Sequence, residues 1–335
     1  MTINSHTYFL SNRVAGNEDS NKVGPLRYLL RQNGAQESYS PDGGGFSAVD
    51  EQAFTTQLGQ DLRAARDAQG RPQLAIYVHG FDTPYAAAFP DLQSFGLGLA
   101  AAGYPGVVVG VTWPSFTHTT VFPPETYYAH AQDNAKHSKG LFEAVIRLIA
   151  GAQTQLSGLD ASLLCHSMGN YLLAETVAAG DAAALKRPLR SVLMLAADVV
   201  NTLFQPGDGR GPLITALTQQ VTVYYSGNDE VLEASGVINF DVRLGYGGPA
   251  DYGTLAAKVA GLDCTAQVAT SAVAETYVPV GQSSILASDV TVHSCYRYVP
   301  ALLQDQAQAM LGLPLPHRQA VGGSGDHFTF IRFPS

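Results

Sequence analysis

Long apolar runs are missing from this chain. Among its 335 residues no stretch approaches the roughly 20 consecutive apolar residues that span a bilayer, so an integral membrane segment is not expected. The first residues, MTINSHTYFLSNR, show no basic segment leading into an apolar one, and a secretory signal is not expected either. Cysteine is scarce: Cys165, Cys264 and Cys295, an odd number without repeated spacing. That argues against a disulfide framework and a zinc ribbon, and predicts a reducing, cytoplasmic setting. Charged residues make up only 14%, and the nineteen Lys and Arg are spread along the chain rather than clustered. Without a basic footprint a nucleic-acid partner is not expected. The net charge of −9 speaks mainly to solubility. No internal repeat is present.

What the chain does have is apolar material, 46% of its residues, enough for a large core. It comes in short, nearly continuous runs: Leu74–Val78, Val107–Val111, Ala161–Cys165, Ser191–Ala196 and Val221–Tyr225. Such runs suit strands buried on both faces, as in a parallel sheet covered by helices. Helical patterns lie between them: residues 85–103, a long one over 127–153, and 168–180. The expectation is an α/β protein with a doubly wound, mostly parallel sheet flanked by helices, forming a single domain over 1–335. The part from 1 to 70 reads as less regular, with an edge strand near His6–Asn12 and an amphipathic helix from Asp50 ending at Gly70. A glycine-rich loop insertion is expected at about 241–253. Thr265–Val273 reads as a last strand, and residues 299–312 as a closing helix.

Chemistry enters at LLCHSMGNYLL, Leu163–Leu173. A serine between strand and helix can be held in a strained backbone with its hydroxyl exposed, provided small residues stand two before and two after it. Here those are Cys165 and Gly169 around Ser167, and the helix N-terminus behind them favours negative charge. The plainer reading makes Ser167 a helix cap. The His79–Gly80 pair after the first strong strand reads as a loop supplying one backbone donor, Phe81, to an oxyanion hole. Met168 supplies the other. His79 reads as a residue that pins the loop. Two aspartates follow later strands, Asp198 and Asp229; Asp229 is preferred because its strand is later and its turn exposes it. A base must come after the acid, which leaves His293, His317 and His327, with His293 preferred and His327 the alternative. His166 reads as structural, pointing away across the turn.

These segments together resemble an α/β-hydrolase family, the uncharacterised branch described as domain of unknown function 900. The resemblance rests on YFLSNR, YVHGFDTPYAAA, VTWPSF, then Tyr128, Asp133 and Ser138, CHSMGNYLL, AADVVNTLF, VTVYYSGNDEVL and VHSCYRYVPALLQD, in this order from about Tyr8 to Gly312. It implies the α/β-hydrolase fold and hydrolysis, and supports His293 over His327. Small departures are Cys165 where the family more often has Ala or Gly, and Ala197-Asp198 for its Pro-Asp turn. The expected activity is cleavage of a small ester-like acyl substrate by Ser167, His293 and Asp229, with Asp198 the alternative acid, and without cofactor or metal. Two other classes compete: a non-catalytic scaffold of the same fold used for binding, and a metal-dependent hydrolase using His130, Asp133 and His137 on one helical face. Trp113 and Phe116 read either as pocket contacts or as core.

Overall fold

The computed structural model describes residues 6–32, 45–115, 124–180, 182–268, 291–322 and 325–330. All its strands join one sheet of eleven: β1 (His6–Arg13), β2 (Val23–Gln32), β3 (Ser47–Val49), β4 (Gln73–Val78), β5 (Val107–Thr112), β6 (Asp160–His166), β7 (Ser191–Leu195), β8 (Val221–Tyr225), β9 (Val259–Asp263), β10 (Arg318–Ala320) and β11 (His327–Phe330). Their order is β10-β11-β9-β8-β7-β6-β4-β5-β1-β2-β3. From β11 across to β1 every pairing is parallel. Antiparallel pairs close both edges, β10 on β11 and β1–β2–β3 on the other side.

The apolar runs explain the centre. In β4, Leu74, Ile76 and Val78 face one core and Ala75 and Tyr77 the other, all buried. A run buried on alternate faces has no polar positions to spare. Helices α1 (Glu51–Ala64), α3 (Pro124–His137), α4 (Lys139–Gln155), α5 (Gly169–Thr176) and α6 (Arg210–Leu217) contribute to the first core. Helix α2 (Tyr85–Ala101) and the late helix α10 (Pro300–Leu311) cover the second. Helix α7 (Glu230–Asn239) follows β8 and sends Leu232 into that second core.

The structure departs from the sequence reading in several places. His6–Arg13 is a strand but not an edge, because the unforeseen β2 pairs with it on one side and β5 on the other. The described residues of the N-terminal part form three strands and a helix. Its helix stops at Ala64, short of Gly70. The long helix over 127–153 is two helices broken at Ser138, whose hydroxyl donates to the Asn134 carbonyl at 2.8 Å and accepts from Asn12 at 2.8 Å. The glycine-rich stretch 241–253 lies between α7 and β9. It forms the short helix α8 (Leu244–Gly247), and a Cβ on Gly245 would lie 2.2 Å from the Ala197 nitrogen, so that glycine marks a close chain crossing. The last-strand reading at Thr265 also fails: Thr265–Val268 is a helical turn, α9, and the strand precedes it as β9. The remainder of that expected strand lies outside the described residues, as does Phe116. Trp113 is fully buried, its indole N–H donating to the His79 carbonyl at 3.0 Å, which makes it core.

Candidate active site

Ser167 follows β6 and precedes α5 with φ of 53°, the left-handed region that costs a non-glycine residue on the order of 1–3 kcal/mol. The surroundings hold it there. Its N–H donates to the Leu195 carbonyl at 2.9 Å, and its carbonyl accepts the N–H groups of Asn170 (3.0 Å) and Asp198 (3.2 Å). The fully buried Asn170 amide donates to the carbonyls of Cys165 (2.9 Å), Ser167 (3.2 Å) and Leu195 (3.3 Å). Asn170 thus ties strand, turn and neighbouring strand together, a role the sequence reading missed. The available signal was an asparagine in a first helical turn, where its side chain competes for backbone groups.

Both glycines near the serine are sterically required. A Cβ on Gly169 would lie 2.7 Å from the carbonyl oxygens of Val78 and His79, so the start of α5 packs directly on the end of β4. A Cβ on Gly80 would lie 2.6 Å from the Ser167 Cβ and 3.2 Å from its Oγ. The loop after β4 is therefore in contact with the serine side chain. Cys165 faces the other way, lining a small apolar cavity with Val78, Leu141, Leu163 and Leu172. Burial pushes its thiol well above the ordinary range, away from the nucleophilic thiolate.

His293 and Asp229, 64 residues apart, are joined by a hydrogen bond from Nδ1 to Oδ2 of 2.8 Å. Asp229 is fully buried after β8 and caps α7, its Oδ1 accepting the Leu232 N–H at 3.1 Å. Asp198 points elsewhere: its carboxylate accepts from Arg243 Nε (2.8 Å), the Ser235 hydroxyl (2.6 Å) and the Tyr128 hydroxyl (2.9 Å). It anchors a buried ion pair beneath the serine turn. His327 starts β11, where its Nε2 meets the Tyr225 hydroxyl at 3.2 Å and its ring stacks on Tyr252. His317 stacks near Phe330.

His166 is closer to the site than the sequence reading placed it. Its Nε2–H donates to the His293 carbonyl at 2.8 Å, and the two rings lie 4.9 Å apart. The residue before the serine therefore holds the main chain of His293. Burial, with the positive potential of His293 beside it, keeps His166 far below its ordinary pKa and neutral. His79 donates from Nδ1 to the Gly80 carbonyl at 2.9 Å, and its Nε2 accepts from the Trp113 N–H at 3.3 Å. Burial, reinforced by Arg13, lowers its pKa to about 3.

These two histidines set a pH dependence. Both are depressed in the folded state, so the unfolded chain binds protons first as pH falls below 6.5. Their stabilisation is present above that value and is lost progressively toward pH 3 for His79, amounting to about 2 kcal/mol from this one residue at pH 5. His166 adds to it with the same sign. Urea unfolding should give a clearly lower midpoint at pH 5 than at pH 7; equal midpoints would contradict the neutral burial of these rings.

Among the described residues no group of three or more His, Cys, Asp or Glu side chains is arranged to hold a metal. On α3, His137 donates to the Asp133 backbone carbonyl at 2.8 Å, and both side chains are exposed. Among the described residues no helix is long and apolar enough to cross a membrane.

The model of a family described as "Alpha/beta hydrolase of unknown function (DUF900)" matches residues 50–275, about two thirds of the chain. The chain belongs to this family. No curated protein matches it. Among solved structures, this DUF900 chain is similar at 15% identity to phospholipase PlaB from Legionella pneumophila, in complex with thio-NAD, over 57% of this chain and 37% of that one, with a TM-score of 0.24. It is similar at 15% identity to lipase B of Aspergillus fumigatus over 58% of this chain and 48% of that one, with a TM-score of 0.28. The matches span less than half the length of either protein.

Proposed function

We propose that this α/β hydrolase cleaves ester-like acyl substrates of small size through Ser167, His293 and Asp229. The observation that carries the reading is the 2.8 Å bond from His293 Nδ1 to the buried Asp229, with His293 held by the residue that precedes a strained serine. Ser167 Oγ attacks the carbonyl carbon while His293 Nε2 takes its proton, and the same proton then goes to the leaving group. Water, activated by His293, resolves the acyl-enzyme. Asp229 fixes the Nδ1–H tautomer and stabilises the imidazolium. The N–H groups of Phe81 and Met168 are assigned to the developing oxyanion, where one such donor is worth roughly 3 kcal/mol of barrier. The scheme uses no metal or organic cofactor. It takes the chain as one domain, since strands from both ends enter the same sheet.

The test is a fluorophosphonate probe together with p-nitrophenyl esters of graded chain length. Specific labelling of Ser167, and loss of both labelling and turnover in a folded Ser167→Ala protein, are the expected results. Folded wild-type protein that takes no label would favour a binding scaffold, and unchanged turnover in Ser167→Ala would remove the serine from the mechanism.

A further inference from the structure

The segment YFLSNR ends in a residue that the scheme above leaves unused. Arg13 closes β1 and is fully buried, an expensive place for a guanidinium unless every donor is matched. Its Nε donates to the Thr112 hydroxyl at 2.9 Å and its Nη2 to the Thr83 carbonyl at 2.6 Å. Its Nη1 reaches the Glu18 carbonyl and the Asp19 carboxylate, both at 3.3 Å. Asp19 in turn accepts the Tyr85 N–H at 2.8 Å, where α2 begins. We propose that Arg13 is a positioning residue for the hydrolysis, its guanidinium fixing the Gly80–Tyr85 loop against Ser167 so that the Phe81 N–H faces the reacting carbonyl. This inference rests on the proposed serine mechanism.

Two routes run from Arg13 to the loop. The first is direct, through the Thr83 carbonyl and, by way of Asp19, the Tyr85 N–H. The second passes through Thr112. Having accepted from Arg13, the Thr112 hydroxyl lies 3.2 Å from His79 Nε2 and donates to it. That leaves the His79 proton on Nδ1, which donates to the Gly80 carbonyl. The same carbonyl accepts from the Thr83 hydroxyl at 3.3 Å. Gly80 is the residue whose backbone meets the serine side chain, so both routes end at the wall of the site. The planar fork suits this task. A lysine ammonium reaching the same place lacks the geometry to hold Thr112 and Thr83 together.

The experiment compares Arg13→Met and Arg13→Lys with wild type, counting active sites by fluorophosphonate titration and measuring kcat and KM on one p-nitrophenyl ester. A loop displaced by about 1 Å costs roughly 100-fold in rate. Arg13→Met should therefore lose on the order of 100-fold in kcat per titrated site, with KM within about twofold, and its labelling rate should fall in parallel. Arg13→Lys keeps the cation and the volume, so it serves if Arg13→Met does not fold, and should lose about 10-fold in kcat. A merely structural Arg13 would lower the melting temperature and the titrated fraction while kcat per site stayed at the wild-type value, and that result overturns the proposal. Absence of labelling in wild-type protein is the separate outcome that removes the serine mechanism itself.

Discussion

Asp229→Asn is expected to lower kcat on an activated ester by about 10⁴-fold, the scale set by the loss of the correct histidine tautomer. The reason lies in the double use of this carboxylate. Oδ2 accepts from His293 Nδ1 and Oδ1 accepts from the Leu232 N–H. An asparagine has one oxygen. If that oxygen keeps the helix cap, its NH₂ group faces Nδ1 and forces the proton to Nε2, where the ring can no longer take one from Ser167. If the oxygen turns to His293 instead, the NH₂ group meets the Leu232 N–H, and the cap, worth about 1 kcal/mol, is lost. Neither orientation satisfies both neighbours. Asp198→Asn should behave differently. Its partners are Arg243, Ser235 and Tyr128, so the variant weakens a buried ion pair, and the expected effect is a stability loss of about 3–5 kcal/mol. Thermal melts and kcat measured on both variants separate the two aspartates. A kcat loss that tracked Asp198 rather than Asp229 would reverse the assignment of the acid.

The central strands were legible because burial on both faces leaves a continuous apolar signal. β4 to β8 coincide with the runs read from the sequence to within one or two residues. Among the flanking strands only β1 was legible; the others were not, for a physical reason. β2 pairs antiparallel near an edge, mixes exposed and half-buried positions, and carries Gly24 and Pro25, which read as breakers. β9 spans five residues and includes Gly261, a strand-breaking type. Yet a Cβ there would lie 2.4 Å from the Tyr252 hydroxyl, so packing by the turn just before the strand selects the glycine. The candidate site divides the same way. The serine turn is local, with its steric needs written within five residues. The choice between Asp198 and Asp229 depends on which side chain meets a histidine far along the chain, and spacing does not encode that. Asn170 and Arg13 do not read as supports, and His166 reads only as structural, because each acts through backbone carbonyls or through a second side chain, and such contacts leave no spacing motif.

Gly80→Ala should sharply lower turnover. Gly80 is not among the residues with positive φ, so alanine meets no backbone penalty of the left-handed kind. The objection is spatial. The new Cβ would sit 2.6 Å from the Ser167 Cβ, 3.2 Å from its Oγ and 3.2 Å from the His166 carbonyl oxygen. The serine cannot yield easily, since its N–H and carbonyl and the Asn170 amide pin it in its strained conformation. The loop is pinned as well, by Arg13 at Thr83, by His79 at the Gly80 carbonyl, and by Ser115, whose carbonyl accepts the Asp82 N–H at 3.1 Å. Relief must come from separating two rigid parts, and the opening falls where the Phe81 N–H is assigned to the oxyanion. A loss of about 10²–10³-fold in kcat is expected, the range for removing one oxyanion donor. Overpacking of this kind costs on the order of 1–3 kcal/mol, so the protein should still fold. Active-site titration, kcat and a thermal melt on the purified variant check it. A folded Gly80→Ala protein with wild-type kcat would mean that the loop does not form the wall of the reacting site, and the assignment of Phe81 would go with it.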